Sequence, residues 1–137
     1  MKTALIDTDI LSMYFRGHET VVKHFSGYLS EYSKINFSII TYYEILSGLK
    51  HRDANKQIEL FLQFSAKNNI LPVTIESMTV SADKYAKLRK LGTPVDDIDL
   101  LIAGVAIAND LVMVTNNDKH FGKISGLEIR NWSVDLE

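Results

Sequence analysis

The chain has 137 residues, a net charge of −2, 46% hydrophobic residues and no cysteine. That length suits one domain with one core, and the composition is globular rather than disordered. The missing thiols exclude disulfides, a thiolate nucleophile and cysteine-based metal sites.

A protein that grips nucleic acid over its whole surface is usually basic, so any such contact here is local or made through a metal ion. Too few apolar residues separate Lys2 from Asp7 for a signal-peptide core. The apolar helical stretch from Leu100 to Ala108 falls well short of the ~20 residues of a membrane span. The expectation is a soluble, cytoplasmic protein with no membrane partner.

The first predicted element is a buried strand over residues 2–6, short and mostly apolar. Asp7-Thr8-Asp9 follows as a strand end plus helix N-cap, and a first helix continues to Phe15 with Gly17 as its stop. A second helix over 19–33 carries Val21, Val22, Phe25, Tyr28, Leu29 and Tyr32 as a core-facing stripe. Residues 35–40 read as a second strand. Thr41-x-x-Glu44 then reads as a capping box opening a third helix to Leu49. The basic cluster Lys50-His51-Arg52 suits that helix's C-terminus and is expected at the far edge of the sheet.

A fourth helix spans 54–68. A third strand over 70–75 contains Pro72, which places it at a sheet edge. A fifth helix over 76–91 is expected to turn Met78, Ala82, Tyr85 and Leu88 inward, with Gly92 after its end. A sixth helix, opened by Asp96 or Asp97 and running to Ala108, is apolar nearly all round and so buried. Residues 111–115 form an apolar, central parallel strand, 116–126 a loop, and 127–130 a short last strand. Strands alternating with helices imply an α/β domain spanning 1–137: a mostly parallel sheet of about five strands flanked by helices.

In such sheets, residues just after strands and in first helical turns meet at the carboxyl edge. Asp7, Glu44, the group Asp96, Asp97 and Asp99, and the pair Asn117-Asp118 all arrive there. Helix capping and turn formation account for each one singly. Capping does not, however, require three Asp residues within four positions. Converging carboxylates repel unless protonated or bridged by a cation. An all-oxygen set suits a hard ion, Mg²⁺ with Mn²⁺ as a substitute. An ion held there polarises phosphoryl oxygens and activates water.

Four segments in order resemble the PIN-domain ribonucleases, specifically VapC-type toxins: residues 5–11, 38–49, 92–103 and 111–121. The resemblance covers essentially the whole chain. It implies a three-layer PIN-like fold and a metal-dependent endoribonuclease. It further implies a homodimer, inhibited by a VapB-type antitoxin, with tRNA among the candidate substrates. It carries over Asp7, Glu44 and Asp99 as metal-binding catalytic acids. Asn117 stands where the family often has Asp, with Asp118 beside it, so either takes the fourth position. Asp96 is an auxiliary ligand. Two other readings compete. One is a haloacid-dehalogenase-like phosphatase with Asp7 as nucleophile and Asp9 as acid/base. The other is an inactive PIN-like binding module.

Overall fold

The computed structural model describes residues 2–134. Five short strands form one parallel sheet in the order β3-β2-β1-β4-β5. They are β1 (Ala4–Ile6), β2 (Asn36–Ser38), β3 (Asn69–Leu71), β4 (Val112–Val114) and β5 (Ile129–Arg130). The helices are α1 (Thr8–Phe15), α2 (Glu19–Glu31), α3 (Ile39–His51), α4 (Asn55–Ala66), α5 (Ile75–Lys90), α6 (Asp97–Ala108) and the one-turn α7 (Asp118–Phe121).

The strand period of two divides the core into two layers. Ala4 and Ile6 of β1 point to one face, packed with Ile10, Leu11, Phe25, Tyr28, Phe37, Phe61 and Trp132. Leu5 points to the other, packed with Leu88, Leu100, Ile102, Val105, Met113 and Phe121. The expected architecture is therefore observed. β3 lies at an edge, and β4 is fully buried between β1 and β5. Pro72 falls just after β3 and closes it. Gly17 and Gly92 adopt φ of 77° and 75° at the ends of α1 and α5, the left-handed conformation that lets each helix stop.

Four expectations are corrected. Helix α3 begins earlier than expected, with Ser38 as its cap: its Oγ accepts from Thr41 N at 3.0 Å. The capping box at Thr41 and Glu44 is absent, because a buried serine at the strand end already satisfies the first turn and frees Glu44.

Helix α5 turns Ser77, Ser81 and Leu88 inward and leaves Met78, Ala82 and Tyr85 exposed. The reason is close packing on α6: Ser81 Oγ donates to Leu100 O at 2.8 Å, and a Cβ on Gly104 would lie 2.0 Å from Ser81 Oγ. Only small residues fit that seam. This antiparallel α5–α6 pair is how two helices fit between β3 and β4. On α2, Leu29 lies outside the core stripe, whereas Val21, Phe25 and Tyr28 are buried. Finally, residues 118–121 form α7 rather than loop, anchored by buried Phe121.

Candidate active site

Strand β1 delivers Asp7 to the carboxyl edge of the sheet. Asp7 N donates to Val114 O at 2.8 Å, which extends the β1–β4 ladder to the residue where the chain turns into α1. The Asp7 carboxylate is buried and held on both oxygens: Thr8 N donates to Oδ1 at 2.8 Å and Thr115 Oγ1 to Oδ2 at 2.8 Å. Thr115, fully buried just after β4, also accepts from Asn117 N at 2.9 Å.

Glu44 reaches the same edge from α3. Thr8 Oγ1 donates to Glu44 Oε1 at 2.6 Å and lies 3.0 Å from Thr41 Oγ1. Because the Thr8 proton goes to Glu44, Thr41 supplies the proton of the second bond. The threonine pair thus ties α1 to α3 and aims the glutamate.

Asp99 enters from the first turn of α6. Its Oδ2 lies 3.5 Å from Asn117 Nδ2 and 3.7 Å from His120 Nδ1.

The acids act on one another electrostatically. Burial, then repulsion from Asp9 and Asp99, pushes the Asp7 carboxyl up to about 7, against the Thr115 and Thr8 hydrogen bonds. Burial and then Asp96 raise Asp99; Glu44 adds to the rise and His120 opposes it. All three acids reach the same edge: Thr8 N binds Asp7 while Thr8 Oγ1 binds Glu44, and Asp99 acts on Asp7 and is acted on by Glu44.

The remaining candidates divide. Asn117 joins the cluster through Asp99. Asp118 does not: its Oδ1 accepts from Asn131 Nδ2 at 3.2 Å, within a polar knot that also holds Asn116 and Ser133. Asp96 caps α6 through Ile98 N at 3.0 Å, yet stands close enough to raise Asp99.

Asp9 spends both oxygens on backbone, accepting from Ile10 N at 2.7 Å and Asn116 N at 3.1 Å. It positions the β4–α7 turn and is not free to act as the acid/base of a phosphatase. Thr8, Thr41 and Thr115, which hold the acids, were not foreseen. Their only mark in the sequence is a hydroxyl beside a predicted strand end or helix start.

Among the described residues no group of three or more histidine, aspartate or glutamate side chains is spaced to hold a metal ion. The set is instead open, all-oxygen at its centre and unneutralised, with one carboxyl near 7. Such donors fit a hard divalent ion that keeps part of its water shell. A cation held among such carboxylates would suit phosphate-ester chemistry.

The PIN domain model matches residues 4–127, and the chain belongs to that family. It is 32% identical to "Ribonuclease VapC1" of Rickettsia felis over 129 residues, 91% of this chain and 92% of that one. It is 31% identical to "tRNA(fMet)-specific endonuclease VapC" of Salmonella typhimurium over 101 residues, 73% and 76% of the two chains. Among solved structures, DNA-bound VapBC from Salmonella typhimurium matches with a TM-score of 0.84 at 27% identity, covering 96% of this chain and 99% of that one. VapBC2 from Rickettsia felis bound to a promoter DNA fragment also matches with a TM-score of 0.84, at 25% identity and coverages of 95% and 98%.

Proposed function

We propose that the protein is a VapC-type toxin, a single-domain, divalent-metal-dependent endoribonuclease inhibited by a VapB-type antitoxin. The observation that carries this reading is the Asp7–Glu44–Asp99 cluster. Three segments converge on one edge, and among the described residues the only ion pair to these acids is that of His120 with Asp99. Relatives named ribonuclease or endonuclease VapC, and solved VapBC complexes, support the RNA substrate and the antitoxin. The intact acid set weighs against an inactive binding module.

Asp7, Glu44 and Asp99 are the proposed ligands of Mg²⁺ or Mn²⁺, with Asn117 orienting a water or the ion's outer shell. When bound, the ion supplies positive charge to the phosphoryl oxygens and lowers the pKa of a coordinated water. The chain's own part is to hold the acids in place. Thr115 and Thr8 N fix both Asp7 oxygens, and Thr41 and Thr8 fix Glu44. Because burial holds the Asp7 proton near neutral pH, that proton must leave before the carboxylate serves as a ligand.

We place the enzyme in the cytoplasm, where RNA is available; among the described residues no helix is long and apolar enough to cross a membrane. The homodimer is supported by an exposed apolar area on α5 and the turn before it. Ile75 is 88% and Met78 47% exposed there, beside Val73 and Ala82.

The test is cleavage of total cellular RNA by purified wild type and Asp7→Asn, each with Mg²⁺ and with EDTA. Discrete new fragments with metal-loaded wild type alone are expected. No cleavage by folded, antitoxin-free wild type in either Mg²⁺ or Mn²⁺ would refute the nuclease reading.

A further inference from the structure

A cleft of about 450 Å³ opens beside the acidic cluster, between α1, α3 and α4. Its volume is in the range of small-ligand sites. Thr8 and Glu44 form one end, so the cleft is continuous with the catalytic edge. Arg16, Arg52 and Gln57 line it further along, with Phe15 on its wall.

The position of Arg52 corrects the expectation that the 50–52 cluster lies away from the site. Glu44, Gly48 and Arg52 follow one another at intervals of four on α3 and its cap, and so share one face. The guanidinium lies beside Gly48: a Cβ built there would sit in ordinary contact, 3.6 Å from Arg52 Nη1. The arginine therefore folds back along the helix into the cleft that Glu44 enters.

Neither Arg16 nor Arg52 has an ion-pair partner or a side-chain hydrogen bond among the described residues. In a chain of net charge −2, two unpaired guanidiniums on one cleft are a local excess of positive charge. Phe15 stands between them and the core. Its ring is held edge-on by Phe61 and Phe64, at centroid distances of 5.8 and 4.9 Å, yet it stays 43% exposed. Paired cations beside a fixed, exposed aromatic ring suit a nucleotide strand, whose phosphates take the guanidiniums and whose base takes the ring.

We propose that this cleft is the track for the RNA segment flanking the scissile phosphate. Arg16 and Arg52 bind its phosphates and Phe15 stacks on a base. This rests on the nuclease reading above and deepens it. An acidic centre repels the phosphates on either side of the one being cut, so the strand needs cations at its flanks. His120 on α7 stands beside Asp99, and the arginines line the cleft that Glu44 enters.

The test measures binding of a short fluorescein-labelled single-stranded oligoribonucleotide in EDTA at increasing NaCl, together with cleavage kinetics in Mg²⁺. The variants are Arg16→Ala/Arg52→Ala, Phe15→Leu and, as a control for charge, Lys84→Ala/Lys87→Ala. The two lysines contact Ser125 and do not line the cleft.

The arginine pair should lower the slope of log K against log salt by about 1.4, the share of two phosphates on a single strand. It should raise KM roughly tenfold with kcat nearly unchanged. Phe15→Leu should weaken binding with no change in slope. The lysine pair should change neither. An equal slope loss with the lysine variant would mean a whole-surface charge effect and would overturn the track. So would unchanged slope and KM in the arginine variant. If that variant cut RNA normally but escaped the antitoxin, the cleft would belong to the protein partner instead. If wild type bound RNA with the arginine-dependent slope but never cut it, the track would stand and the nuclease reading would fall.

Discussion

The two edges of the sheet handle charge in opposite ways. At the amino edge, Lys2 Nζ and Arg130 Nη2 each lie 2.7 Å from a Glu128 oxygen. The Lys2 hydrogen bond and both cations hold the Glu128 carboxyl below its ordinary range. At the carboxyl edge, Asp7, Asp9 and Asp99 are all raised, in each case by burial first, and acidic neighbours add to the rise of Asp7 and Asp99. One edge has cancelled its charge with the chain's own residues. The other has gathered like charges, anchored them with hydroxyl groups and left them for an outside cation. Local neutralisation marks structure, and maintained imbalance marks a site.

The largest expected effect follows from removing one member of the imbalance. Asp99→Asn should lower RNA cleavage by about 10³-fold, the scale of losing a metal-supplied charge in the transition state. The same variant should melt at or above the wild-type temperature without metal, because repulsion with Glu44 and Asp96 is relieved. Loss of activity with a gain in stability is the signature to look for, by cleavage assay and calorimetry on one preparation.

The next effect is on pH dependence. The Asp7 carboxyl, 3.8 in an unfolded chain, titrates at about 7 when folded. Between those values the folded protein holds a proton that the unfolded chain has released. The contribution of this group to stability is therefore present at low pH and is lost as pH climbs through about 7. Metal-free wild type should lose stability relative to Asp7→Asn between about pH 4 and about pH 7, as read from urea midpoints. No trend would place Asp7 in a solvated, unopposed setting, and the opposite trend would mean that its hydrogen bonds outweigh burial and hold the carboxyl below its ordinary value.

The seam beneath the site sharpens the contrast by showing what ordinary packing costs. Gly104→Ala would push a methyl into Ser81 Oγ and to within 2.5 Å of Ser77 O. It should destabilise by about 3 kcal/mol, the upper range for overpacking a tight core, while leaving the acid cluster's pH behaviour intact. Smallest of all, Glu128→Gln at the amino edge should leave the melting temperature and cleavage unchanged, since its partners are exposed.

Much of this arrangement was legible in the sequence because strand ends and helix starts leave clear marks. Apolar runs stopping at Asp7 and Thr115, and the acids opening α6, were enough to bring Asp7, Glu44 and Asp99 to one edge. What was hidden lay in details that propensity does not encode. Ser38 displaced Thr41 as the cap of α3 because a buried hydroxyl one position after Phe37 was better placed to reach Thr41 N. Asp118 and Asn117 are equal in sequence. The α7 turn sends one to Asn131 and the other to Asp99. The sequence places Arg52 at the far end of α3, but its long side chain runs back a full turn to Gly48. Met78 and Tyr85 look apolar enough for a core, but Gly104 and Ser81 draw α5 so close to α6 that only small groups fit.

The most direct test of the central claim is a melting experiment on wild type and Asp99→Asn, each with EDTA and with Mg²⁺ or Mn²⁺. Wild type should gain about 1.4 kcal/mol at tenfold excess of the ion over its dissociation constant. Asp99→Asn, already at least as stable without metal, should gain little. Equal responses of the two proteins, or none in wild type, would contradict the claim that the carboxyl edge is built for a cation.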